Sequence, residues 1–351
     1  MKNKLPAAVA LICSVPLQVA AHHGPPDGAI LYDRSQLLEF AGEVTEVFWR
    51  NPHIRFRMRI TTDTGAEQIR EMEIGPNPRS MRRAGVDEDI LRIGAQVRVA
   101  GYASKRDPNS MGIVHLLLPS GEEITYGGRE PRWSSKQLAL DQVEFVDPAK
   151  LAAAEQAANG LFRVWSNVPG LYPRPPTETY TGYLTDLGRQ LAAAYDPVTD
   201  NPELECRTGM PATMFDPGQM LIEQQGERIV LRIYEYDVER TIHLNGGADF
   251  ASIPASSLGY SIGHWEGESL IVTTTRVNSP YLDSYGTPQS DQVSLEERFT
   301  MTADGQRLHY SMTASDPQMY TEPVTLERVW RWTPEIDLEP FDCVVWTGST
   351  E

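Results

Sequence analysis

The chain has 351 residues, enough for two domains that each bury a core of their own. Its 48 acidic residues outnumber its 31 Lys and Arg, a formal net charge of −17, and so strong an excess repels nucleic acid and anionic membrane surfaces. The 27 Gly and 26 Pro, spread among many short alternating segments, point to mainly β structure.

In chain order, Lys2 and Lys4 precede an apolar run from Leu5 to Val15, and Val19, Ala20 and Ala21 supply the small residues of a signal-peptidase site. Residues 1–21 therefore read as an export signal whose removal leaves His22 as the new N-terminus, in a periplasmic or secreted protein. The run is too short to span a bilayer, and no later stretch reaches the roughly 20 apolar residues a membrane helix needs, so no membrane insertion is expected. Cys13 leaves with the signal. Cys206 and Cys343 remain, and in an oxidising compartment an even pair implies one disulfide.

Residues 22–127 read as a small OB-like β barrel. In "HIRFRMRITTDTGAEQIREMEI", Ile54, Phe56, Met58 and Ile60 share one face, and a turn near Asp63–Gly65 sets Arg55 beside Glu73 and Arg57 beside Glu71. The arginine stripe is thus neutralised across the strand pair and is not a nucleic-acid surface. A short helix around Asp87–Arg92 and strands in "IGAQVRVAGYASK" and "GIVHLLLPSGEEITY" follow. Residues 128–200 read as a linker with two helices, "DPAKLAAAEQAA" and "TDLGRQLAAAY". Residues 201–351 resume the alternation, with turns at "QQGE", "WEGES" and "ADGQ", and are expected to form an antiparallel, lipocalin-like β barrel.

Counting by twos along these strands places charge on faces that should be apolar. If Tyr236–Glu239 form the turn of "IVLRIYEYDVERTIHL", Leu231 faces Leu244, Ile233 faces Ile242 and Glu235 faces Arg240. An Asp304–Gly305 turn pairs Phe299 with Tyr310 and sets Glu297 opposite Met312 on the same apolar face. In "VTLERVWRW", Arg328 stands in a row with Val324, Leu326, Trp330 and Trp332. Inward charges must be paired or bound. Two readings compete: ion pairs at the rim of a filled core, or a pocket in which Glu235, Arg240, Glu297, Arg328, Tyr310 and Trp330 orient the polar end of an apolar small molecule. His264, beside the turn of "GYSIGHWEGES", is a further candidate acid or base.

Two sets of phrases carry a resemblance. "AHHG", "GEVTEVFWRNPH", "EMEIGPNPRSMRRAG" and "IGAQVRVAGYASK" resemble a bacterial family of small exported domains without an assigned function. "YEYDVERTIHL", "GYSIGHWEGESLIVTTT", "SDQVSLEERFTM" and "SDPQMYTEPVTLERVWRW" are similar to a recurrent group of uncharacterised secreted bacterial proteins. The resemblance implies export and β architecture and carries no reaction.

Three functional classes stay open beside a purely structural envelope role. The leading one is binding of an apolar small molecule in the C-terminal barrel, with no cofactor. A lyase or isomerase would use Glu297 as its acid or base, which requires the carboxylate to face an open cavity, since one locked bidentate by arginine is a poor proton carrier. A copper-binding protein would use His22, whose amine and ring both suit Cu(II), with His23 and His53 as further donors, against the simpler reading of a frayed N-terminus.

Overall fold

The computed structural model describes residues 31–83, 85–125, 129–139, 148–167, 180–215, 218–244, 252–334 and 336–345. It is mainly β, with a separate N-terminal sheet and a closed C-terminal barrel.

The first unit is built from β1 (Tyr32–Phe48), β2 (Ile54–Thr61), β3 (Glu67–Ile74), β4 (Gln96–Ser104) and β5 (Ser110–Leu117). Hydrogen bonding runs β3-β2-β1-β4-β5, and a parallel pairing of β5 with β3 joins the two ends into a small OB-like barrel. Ile54, Phe56, Met58 and Ile60 are buried in its core, as their alternation requires. Arg55 faces Glu73 and Arg57 faces Glu71, in the expected register. Between β3 and β4 lie α1 (Pro78–Arg83) and a single 3-10 turn, Glu88–Ile90, capped by Asp87. Two short strands, β6 (Glu123–Thr125) and β7 (Gln137–Ala139), extend the sheet.

The stretch read as a linker contributes to both units. β7 belongs to the first sheet, whereas β8 (Val164–Asn167) is a strand of the barrel. The two expected helices are α2 (Pro148–Ala157) and α3 (Asp186–Ala194), the latter capped by Thr185, whose hydroxyl accepts from the Gly188 amide at 3.1 Å. The remaining barrel strands are β9 (Gln219–Gln225), β10 (Arg228–Ile233), β11 (Val238–His243), β12 (Tyr260–Glu266), β13 (Ser269–Thr275), β14 (Ser294–Met301), β15 (Arg307–Ser315) and β16 (Val324–Trp332). They close in the order β10-β11-β12-β13-β14-β15-β16-β8-β9. An odd ring cannot alternate direction all the way round, so one neighbouring pair must run parallel. That pair is β11 and β12, where Ile242 faces Ser261. Trp165, Trp330, Phe299 and Tyr310 fill the interior, with Phe215 from α4 (Ala212–Phe215) packed 5.7 Å from the Tyr310 ring.

Beyond β16 the chain returns to the joint between the units. Cys343 is bonded to Cys206, 137 positions away in sequence, with the Cα atoms 5.9 Å apart, which establishes the expected disulfide. The tail touches both units. Phe341 and Asp342 donate their amides to the Asp237 carboxylate at 2.7 and 3.0 Å, and the Val344 amide donates to the Asn51 carbonyl at 3.0 Å. Arg79 of α1 donates to the Asp337 carbonyl at 2.5 Å and lies over the Tyr234 ring.

Candidate functional site

One polar residue from each of five successive barrel strands meets at the same level of the interior. These are Arg240 on β11, Ser261 on β12, Thr274 on β13, Glu297 on β14 and Tyr310 on β15, all buried. The Arg240 guanidinium donates two bonds to the Glu297 carboxylate, Nη1 to Oε2 at 2.8 Å and Nη2 to Oε1 at 2.5 Å. Thr274 Oγ1 donates to Oε1 at 2.7 Å and the Tyr310 hydroxyl to Oε2 at 2.9 Å. Ser261 Oγ accepts from Arg240 Nε at 3.3 Å and Nη2 at 3.0 Å. Arg240 and Glu297 reach each other across two intervening strands, which at this level turn only the short side chains of Ser261 and Thr274 inward. At Gly263 an added Cβ would stand 2.7 Å from Ile242 Cγ2.

The electrostatics follow from this closure. Burial pulls the Arg240 pKa down, but the facing carboxylate outweighs it and leaves the guanidinium above its ordinary range. Burial, reinforced by Glu297, holds the Tyr310 phenol protonated well above its usual pKa. A carboxylate engaged by four donors and 1 % exposed has no lone pair facing an open cavity. Glu297 therefore lacks the geometry set out above for a proton carrier.

The expected pairing of Glu235 with Arg240 is not formed. The β10–β11 ladder runs Leu231 to Arg240 and Ile233 to Val238, so the turn is Tyr234–Asp237, not Tyr236–Glu239. Tyr236 and Asp237 take positive φ of 62° and 51°, which lets the hairpin close two residues early without a glycine. A register moved by a whole number of side-chain periods preserves parity, so Arg240 stays inward while Glu235 moves into the turn. There its Oε2 accepts from the Gly218 amide at 2.5 Å. Burial raises its carboxyl to about 7, against the pull of that amide and of Arg79 and Arg328. Arg328 is half-buried and donates Nη2 to Asn167 Oδ1 at 2.6 Å. Trp330 is wholly buried, its ring 5.3 Å from that of Tyr310, and its indole N–H has no hydrogen-bond partner among the described residues. The six proposed ligand residues thus separate into a closed knot (Arg240, Glu297, Tyr310) and a looser group (Glu235, Arg328, Trp330).

The described cavity lies elsewhere. A groove of about 660 Å³ lies where the barrel wall meets the tail: Val164 and Leu221, on the outer face of β8 and β9, form an apolar floor, Val238 reaches it from the core, and the tail, with Ile336, Leu338 and Pro340, forms the opposite wall. Sequence reasoning did not find it. Its floor draws on outward positions of β8 and β9, strands with few residues to establish a pattern, and the tail carries no periodic signal. Ser261, Thr274 and Asn167 were missed as well, since small polar residues on a strand look alike whether they face solvent or a buried ion.

His264 is exposed, with Nε2 3.4 Å from Glu266 Oε1, on the outer face of β12 and away from the knot. His53 Nδ1 is engaged with the Gly75 carbonyl. His22 and His23 lie outside the described residues. Among the described residues no three His, Cys, Asp or Glu side chains are grouped as a metal site.

Fold and site together define a mainly β protein of two barrels, the second closed around a buried ion pair. Residues 10–114 match a family model described as a family of unknown function, DUF6152, a span that takes in β1 to β4 and most of β5. No curated protein matches the chain.

Proposed function

We propose that this is an exported two-domain β protein that binds a small apolar molecule on its C-terminal barrel, in the groove between the barrel wall and the tail and not in the lumen. The observation that carries this reading is the groove itself. Its volume of about 660 Å³ lies within the roughly 300–1,000 Å³ of small-molecule sites, and it combines an apolar floor with a few polar groups at its rim. The lumen, by contrast, is occupied by four large rings and a saturated ion pair, an arrangement suited to rigidity. Binding also fits the absence of a free acid or base at Glu297.

The test is a thermal-shift screen of the mature, oxidised chain against a library of small apolar compounds. Stabilising compounds are expected, and Leu338→Trp, which fills the groove from its tail side, should abolish their effect. A library without a single stabilising compound, or shifts indifferent to Leu338→Trp, would reject the groove as the site. Export is tested separately by mass spectrometry of protein recovered from the periplasm or medium, which should begin at His22.

A further inference from the structure

The rim of the groove is unequal in charge. Asp237, Glu239, Asp337 and Glu339 line it, with Arg232 the only cation among the lining residues. That guanidinium is already shared between two carboxylates, Glu223 and Glu239, each 3.5 Å from its Nε. Glu339 is bridged by Arg82 at 2.7 Å, in an exposed pair that screens only part of its charge. Asp237 holds the Phe341 and Asp342 amides, neutral dipoles that fix the carboxylate in place and leave its charge undiminished. The Tyr234 ring also lines the groove, but Arg79 lies 4.7 Å from its centroid, so the ring is already engaged by a cation.

The four carboxylates of the lining outnumber Arg232, on Glu239, and Arg82, on Glu339, so an anionic head entering the groove would meet a rim that is negative on balance, and a chain of net charge −17 repels it further. A neutral molecule would gain the apolar floor alone. A positive head gains both the floor and the rim. We propose that the groove selects amphiphilic cations, molecules with a compact apolar body and one ammonium group, with Val164 and Leu221 taking the body and Glu239 and Glu339 facing the charge. This rests on the groove being the ligand site and adds the class of ligand.

Calorimetric titration of the mature, disulfide-bonded chain with three probes of equal chain length separates the two claims: octyltrimethylammonium, octanol and octanoate. The cation should bind at least about tenfold more tightly than octanoate at low salt, and the gap should shrink as salt screens the rim. Glu239→Gln with Glu339→Gln, both at exposed positions, should bring the cation to within about threefold of octanol, and Leu221→Trp should remove binding of all three. If none of the probes binds, the groove itself fails as a site. If octanoate or octanol matches the cation, the groove stands and the charge selection is overturned. Cation binding that persists unchanged in Leu221→Trp places the site elsewhere and overturns both.

Discussion

Arg240 and Glu297 show why a buried ion pair must be judged as a unit. Removing both charges from the interior avoids the desolvation that folding otherwise incurs, whereas removing one leaves its partner stranded. Arg240→Met alone is therefore expected to cost about 3–5 kcal/mol in urea unfolding, and Arg240→Met with Glu297→Leu to recover most of that loss. Equal losses in the single and double variants would show that the surrounding hydroxyls, and not the pairing, set the energy. Glu235 makes a different prediction. Its folded pKa of about 7 lies above the ordinary carboxyl value of 4.5, so the protonated form is favoured by folding. The corresponding stability is fully present below about pH 4.5 and is lost as pH rises through 7. Glu71 is raised to about 7 as well, again by burial, so the wild-type curve carries both groups. The difference between wild type and Glu235→Gln isolates one. It should grow from pH 4.5 to 8 toward greater stability of the variant, on the order of 3 kcal/mol, and parallel curves would show that the Glu235 carboxyl titrates normally.

At the scale of elements, alternation proved the most legible signal and register the least. Inward placement of Arg240, Glu297 and Tyr310 follows from period two alone, and that period is enforced wherever one face of a strand is apolar. Partners are another matter. The β14–β15 register was readable because Asp304–Gly305 supplies a glycine at φ 68° in the loop. The β10–β11 turn was misplaced because Tyr236 and Asp237 adopt positive φ without any residue that announces it. Arg240 and Glu297 meet across β12 and β13, a relation no hairpin rule contains, and the parallel β11–β12 contact depends on ring closure rather than on local sequence. The tail is an element too, held by its disulfide, by Asp237 and by Asn51. Cys206→Ser with Cys343→Ser is expected to lower stability by about 2–5 kcal/mol and to speed amide exchange across Ile336–Val345, because the crosslink closes a long loop and pins the outer wall of the groove. Unchanged exchange there would mean that the polar contacts suffice to hold the tail.

For the molecule as a whole, the two units share a joint made largely by the tail, with α1 and the loop at Asn51 on one side and the Tyr234–Asp237 turn on the other. The groove wall is thus braced by the OB-like unit through Arg79 and Arg82, which ties the shape of the site to the position of the neighbouring unit. The order of strands around the second barrel has its own outcome. β8, the first of its strands to leave the ribosome, lies between β9 and β16, the last. Until the final stretch of polypeptide has been made, one flank of β8 and one flank of β15 have unpaired backbone groups, the kind of edge that recruits strands from other chains. Copies of this protein terminated before β16 should accordingly be sticky, and the chain stays vulnerable to self-association until β16 has closed the ring.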